Sequence, residues 1–173
     1  MSGSHHIVVV RHGKAEKSAQ GSGQESAQHD YDRHLTERGR ADSRAAGAIA
    51  GRALGEPTGR VVALVSSAAR AVETWREVAP NLPDLVEVDV RDDLYQAGAD
   101  DLLALTAATA EDVTAVLVVG HDPTMSQAVS TLVGRECELR TAAVAVLSYV
   151  GRWDAIGPDA CRLESLDVGR AGG

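Results

Sequence analysis

The sequence predicts an α/β domain built as a three-layer α/β/α sandwich around a mostly parallel sheet, without a lid domain. Short β-branched runs at Ile7 to Val10, Val61 to Val65 and Val116 to Val119 read as strands buried on both faces. Segments with helical spacing of apolar residues separate them, the pattern of strands joined by crossover helices. The 173 residues suit one domain, 1–173, large enough to bury a substantial core.

Taken in order, Ile7 to Val10 is the first strand. Met1 to His6 before it resembles expression-tag sequence, so His5 and His6 are expected to have no chemical role. Ala15 to Asp32, with Gly21-Ser22-Gly23, lacks apolar periodicity and reads as a long polar loop. Thr36 is a candidate N-cap for a helix running to Leu54, with Ala45, Ala48, Ile49 and Ala53 as its apolar residues. Val61 to Val65 is the second strand, and Ser67 reads as the cap of a helix carrying Arg70, Trp75 and Val78 until Pro80 stops it. Leu85 to Val88 is a short strand, Asp100 to Thr109 a helix and Val116 to Val119 the fourth strand. Pro123 to Leu132 is a helix with proline in its first turn, Ala142 to Val150 a strand ended by Gly151, and Trp153 to Val168 one or two edge strands. Trp75 and Trp153 are expected to be packing residues.

The composition excludes several classes of function. Hydrophobic residues make up 44% and charged residues 24%, which is globular; phenylalanine is absent, so the core is aliphatic. A formal charge of -8 disfavours nucleic acid and anionic membranes as partners, and 3% aromatic residues leave few rings for stacking on bases. Cys137 and Cys161 have no CxxC spacing and read as reduced thiols, with neither a disulfide framework nor a zinc site expected. No apolar run approaches the ~20 residues that span a bilayer, so the cytoplasm is the expected location. GxxxxGK[ST] is absent and Gly21-Ser22-Gly23 does not open a helix after a strand, which disfavours nucleotide binding through those motifs.

Three short segments carry the chemistry. Arg11-His12-Gly13 follows the first strand, Ser66-Ser67-Ala68-Ala69-Arg70 the second and Gly120-His121-Asp122-Pro123 the fourth. In a parallel sheet all three reach the carboxyl edge, where ligands bind. Two imidazoles and two guanidiniums there suit a phosphoryl group, because a guanidinium fork matches phosphate oxygens two at a time. The start of a helix near Ser67 adds backbone N–H groups. Neutral His12 fits the part of nucleophile, Gly13 lets the backbone pass close to a ligand, and His121 is placed to donate to phosphoryl oxygens as charge develops.

Together with Leu35-Thr36-Glu37-Arg38-Gly39 and with Ala71, Glu73 and Thr74, these motifs resemble the histidine phosphatase superfamily. The short SixA-like phosphohistidine phosphatases are the most similar members. The resemblance covers about the first three quarters of the chain. It implies that His12 is transiently phosphorylated, that Arg11 and Arg70 bind the phosphoryl group, that His121 completes the pocket and that Arg33 is the extra arginine of the SixA-like group. No cofactor is expected, and the scheme built on His12 and His121 needs no metal. His34 stands where the family often has proline.

One departure concerns the proton donor. Relatives acting on phosphate esters carry an acidic residue after the third strand, whereas Asp92-Asp93-Leu94-Tyr95-Gln96-Ala97-Gly98 offers no glutamate. Asp93 is the nearest candidate, with Glu16 and Asp32 as others from the long loop. A phosphohistidine substrate explains the gap, because its leaving imidazole is protonated before the P–N bond breaks. The expected activity is therefore a metal-independent phosphatase acting on a phosphorylated protein. The alternatives are a small-molecule phosphomonoesterase and a phosphate or phosphoprotein binding module that turns over poorly. Arg38, Arg40, Arg44 and Arg52 read as a solvated helix face, and His29 and His34 as exposed loop residues beside Asp30 and Asp32. Tyr95 reads either as a core-edge residue or as a wall of the cleft.

Overall fold

The computed structural model describes residues 3–18 and 23–172. One six-stranded sheet organises them, in the order β3-β2-β4-β1-β5-β6. The strands are β1 (Gly3–Arg11), β2 (Arg60–Ser66), β3 (Val86–Arg91), β4 (Val113–Gly120), β5 (Ala143–Gly151) and β6 (Cys161–Val168). Strands β1 to β4 run parallel, and β5 and β6 each run antiparallel to the preceding neighbour in the sheet. The helices are α1 (Gln24–Tyr31), α2 (Glu37–Leu54), α3 (Ala69–Val78), α4 (Ala99–Ala107) and α5 (Thr124–Val133).

Alternating side chains of the central strands feed two aliphatic layers, as a pleated sheet buried on both faces requires. Val8, Val10, Val61, Val65, Leu117 and Val119 pack with Ala46, Ala50 and Leu54 of α2 and Ala71 and Val78 of α3. Ile7, Val9, Val116 and Val118 pack with Leu102 of α4 and Met125, Val129 and Leu132 of α5. Adjacent strands β1 and β4 therefore send their following helices, α2 and α5, to opposite faces. The chain parts at the carboxyl ends of these two strands, and a crevice opens there.

The α/β class and the order of elements are as the sequence predicts, with five local differences. The Ala15 to Asp32 segment is not all loop, because α1 occupies Gln24–Tyr31; Gly21 and Ser22 lie outside the described residues. Thr36 does cap α2, its hydroxyl accepting from Gly39 N at 3.0 Å, a bond worth about 1 kcal/mol. The fully buried stripe of α2, however, is Ser43, Ala46, Gly47, Ala50 and Leu54; of the expected Ala45, Ala48, Ile49 and Ala53, Ile49 and Ala53 are half-buried at the edge of the same core. Close packing on α3 turns the helix: a Cβ on Gly47 would stand 2.8 Å from Val78 Cα, so the smallest residues face the contact. Ser67 does not cap α3, whose N-cap is Ala68. Strand β3 begins one residue later than expected and extends to Arg91, leaving Leu85 exposed. The final segment forms one edge strand, β6, within the expectation of one or two, preceded by a 3₁₀ turn at Trp153–Ala155.

The fifth difference is at the start of the chain. Strand β1 begins at Gly3, and its register against β5 pairs Gly3 with Gly151 and His5 with Tyr149. His5 is 3% exposed, its ring lies 4.3 Å from that of Trp153, and its Nε2 is 3.0 Å from Gly151 O. Residues that look like tag sequence therefore form part of the sheet. Trp153 itself is fully buried and donates from Nε1 to Val113 O. No helix among the described residues is long and apolar enough to cross a membrane.

Candidate functional site

The parallel register sets Arg11 opposite Gly120 and Val65 opposite Val119, so the next residues of three strands emerge side by side. His12 N donates to Gly120 O at 3.0 Å, which ties the two histidine-bearing turns together. The His12 and His121 rings lie 5.2 Å apart, and both side chains are buried. Val65, Ser66 and the start of α3 bring Arg70 to the same place, where its Nε donates to His12 Nε2 at 3.3 Å.

Two hydrogen bonds fix the His12 tautomer. Nδ1 donates to Gly13 O at 2.7 Å, and Nε2 accepts from Arg70, so the lone pair resides on Nε2. Burial, with the neighbouring cations and His121 adding to it, pushes the His12 pKa down to about 3 despite the bond to Gly13. His121 Nε2 lies 2.7 Å from Ser66 Oγ, and burial with the Arg70 charge pushes its pKa down to about 4. Both rings are neutral at pH 7.

Gly13 serves differently from the expectation. A Cβ there would meet Gly39 O and Ser43 Oγ, each at 2.5 Å, so glycine lets the strand's end pass close to α2 rather than close to a ligand. Its N–H is spent on Thr74 Oγ1 at 3.0 Å, and Thr74 in turn donates to Arg70 O at 2.7 Å. Arg11 is held by Leu139 O at 2.8 Å and by Asp122 at 3.6 Å. At this edge of the sheet Arg11 Nε, Ser67 Oγ and His121 Nδ1 are buried polar atoms with no hydrogen-bond partner among the described residues. Such atoms are costly unless something polar meets them.

Arg33 reaches the site through Asp30, a residue not singled out from sequence. Asp30 Oδ1 accepts from Arg33 Nε at 3.0 Å and Nη2 at 2.8 Å. Asp30 Oδ2 accepts from Arg70 Nη2 at 3.2 Å and from the Tyr95 hydroxyl at 2.6 Å, and Asp30 O accepts from Arg70 Nη1 at 2.7 Å. Partial burial works against ionisation of Asp30, but the Tyr95 hydroxyl and the two guanidiniums outweigh it and hold its pKa at about 2. Tyr95 is a wall of the cleft, its ring 5.7 Å from that of His121 and the Arg70 guanidinium 5.9 Å from its centroid. Asp30 and Arg33 meet across the end of α1, where Asp32 is the C-cap and Arg33 N donates to Asp30 O at 3.3 Å, a turn that no apolar pattern marks.

The expected proton donors lie elsewhere. Arg91 holds Asp93 on the exposed 3₁₀ turn Asp93–Tyr95 through Nε at 2.9 Å and Nη2 at 2.8 Å, and this pairing keeps the Asp93 pKa below the ordinary carboxylate range. Asp32 is exposed and accepts from Gln28 Nε2, while exposed Glu16 takes part through its backbone, its carbonyl accepting from Arg33 Nη1 at 2.8 Å. None of the three bonds to His12, His121, Arg11 or Arg70 among the described residues. Buried Glu73 organises the segment after α1: it accepts from Leu35 N and His34 Nδ1, both at 2.7 Å, and pairs with Arg40 at 3.2 Å. His34, at the position where the family often has proline, thus ties its loop to α3.

An α/β fold that gathers two neutral imidazoles and three guanidiniums at the carboxyl edge of its sheet defines a class of protein suited to a tetrahedral anion. The chain belongs to the histidine phosphatase superfamily (branch 1), which its residues 7–112 match. It is 28% identical to a candidate phosphohistidine phosphatase SixA from Nakamurella multipartitia, with a TM-score of 0.72 over 95% of this chain and 96% of that one. The protein histidine phosphatase SixA complexed with tungstate is 26% identical, with a TM-score of 0.65 over 95% of this chain and 97% of that one. The uncharacterized protein ML1117 of Mycobacterium leprae (strain TN) is 29% identical over 117 residues, 62% of this chain and 70% of that protein.

Proposed function

We propose that this protein is a phosphatase that passes a phosphoryl group through His12 and acts on phosphohistidine carried by a protein. The observation that carries the reading is the state of His12: a neutral ring with its proton fixed on Nδ1, and its Nε2 lone pair beside Arg70. His12 Nε2 attacks phosphorus and the bond from phosphorus to the carrier nitrogen breaks, leaving with the carrier imidazole, which has already taken its proton from solvent. Water then attacks the phosphorus on His12, the P–Nε2 bond breaks, and inorganic phosphate leaves. Arg11 and Arg70 hold the phosphoryl oxygens, joined by Arg33. In the tautomer where Ser66 Oγ donates to His121 Nε2, the His121 proton stands on Nδ1, an atom without a partner among the described residues, ready for the oxygen that gains charge.

Two features favour phosphohistidine over a small phosphate ester. Asp30 and Asp93 are held ionised by arginines, so they start without the proton that an alkoxide leaving group requires. The connection between β3 and β4 is spent on a 3₁₀ turn and α4, and beside the pocket lies a cleft of about 860 Å³ lined by Gln24, Gln28, Tyr31, Asp92, Tyr95 and Gln96. That cleft gives the carrier a place to rest.

Rapid mixing with a phosphodonor should place acid-labile phosphate on the wild-type protein and none on His12→Ala. Turnover of a phosphohistidine protein should exceed that of simple esters at equal concentration. Tight binding without labelling or release would instead identify a phosphoprotein-binding module, and equal turnover of small esters a phosphomonoesterase.

A further inference from the structure

Arg70 and Arg33 do not wait unpaired for a ligand. Both terminal nitrogens of Arg70 are taken by Asp30, one by its carboxylate and one by its main-chain oxygen. Nε and Nη2 of Arg33 are taken by the other carboxylate oxygen, and Nη1 by Glu16 O. A carboxylate accepts from guanidinium forks with the same geometry as two phosphate oxygens. Asp30 is steered there from two sides, since Tyr95 donates to Oδ2 and the end of α1 brings its main-chain oxygen to Arg70.

We propose that Asp30 is a built-in competitor for the phosphoryl seat: its carboxylate occupies the donors of Arg70 and Arg33, and an incoming phosphoryl group must displace it. The inference rests on the phosphoryl-transfer reading of the pocket. Displacement lowers the affinity of every oxyanion by one common factor. Free inorganic phosphate has only the seat itself to offset that factor, whereas a phosphoryl group on a protein has a carrier that docks in the adjoining cleft, which shares Tyr95 with the seat. Asp30 therefore sets a threshold that bare phosphate, the reaction's product, does not clear and a phosphoryl group arriving with a carrier does, while the ratio of the two affinities is left to the cleft.

The test is calorimetric titration of inorganic phosphate into wild type, Asp30→Asn, Tyr95→Phe and Arg70→Ala at pH 7.5. Asp30→Asn, which keeps the shape and removes the charge, should bind phosphate about tenfold more tightly than wild type. Tyr95→Phe, which removes one of the bonds steering the carboxylate, should tighten it about two- to threefold, and Arg70→Ala should abolish it. Unchanged or weaker binding by Asp30→Asn, with wild type binding phosphate and the variant's melting curve intact, overturns the role given to Asp30 and leaves the phosphatase reading standing. Should no variant bind phosphate and Arg70→Ala behave like wild type, both fall. A further readout separates competition from mere support of the fold. Product inhibition by phosphate should strengthen in Asp30→Asn by the same factor as its affinity, and a variant that only loosened the pocket would shift it the other way.

Discussion

Acid should weaken this fold through its two buried imidazoles at the sheet edge, His12 and His121, and the size of the effect follows from their burial. Folding depresses the pKa of His12 to about 3 and of His121 to about 4, against 6.5 for a free imidazole. The unfolded chain therefore binds protons that the folded chain refuses. Stability is fully present above pH 6.5 and falls steadily as pH drops from there towards the folded values. At pH 5.5, one unit below the free value, each ring costs about 1.4 kcal/mol and the pair about 3 kcal/mol. That is a large share of the 5–15 kcal/mol that usually separates folded from unfolded domains. Stopping at pH 5.5 keeps the depressed carboxyls of Asp30 and Glu73 ionised in both states. Urea unfolding followed by tryptophan fluorescence, with Trp153 fully buried as the reporter, should be run at pH 7.5 and 5.5 on wild type and on His12→Asn/His121→Asn. Wild type should lose about 3 kcal/mol more than the double variant over that interval. Equal losses would show that the rings titrate freely and would remove the basis for a neutral Nε2 at pH 7.

Two further substitutions probe the frame around the site. Gly13→Ala forces a methyl group within 2.5 Å of Gly39 O and Ser43 Oγ, so thermal melting should show a loss of about 1–3 kcal/mol, whereas Gly157→Ala, with nothing within 4 Å of the new Cβ, should melt like wild type. Glu73→Gln keeps the size of the side chain but removes the charge shared by His34, Arg40 and Leu35 N; urea unfolding should show a cost of about 1–3 kcal/mol, and phosphate binding should weaken as the Arg33 segment loosens.

What was legible in the sequence was whatever burial or sharp local geometry forces on the chain. Strands β1, β2 and β4 sit between two helical layers and must be apolar throughout, so Ile7 to Val10, Val61 to Val65 and Val116 to Val119 announce themselves. His12, Arg70 and His121 follow directly from those strands, and a parallel register carries them to one edge. Helix α1 escaped because it buries no residue and so has no apolar stripe to read. Asp30 escaped with it, since its importance comes from Arg70, forty positions away in sequence. Gly13 was found for the wrong reason: which side of a glycine is crowded depends on where α2 packs. His5 was dismissed on composition, yet the antiparallel partner β5 gives it a place beside Trp153.

Strand β1 keeps its two duties at opposite tips. The trailing tip delivers Arg11 and His12 to the crevice; the leading tip, Gly3 to His6, zips to Ser148 through Gly151 and shelters an indole. A chain trimmed to begin at Ile7 would unfasten four rungs of that ladder while leaving Arg11 and His12 in their covalent setting. Fragility and ligand binding would then come apart: such a protein should hold phosphate in the cold and release it on gentle warming, well before the untrimmed chain.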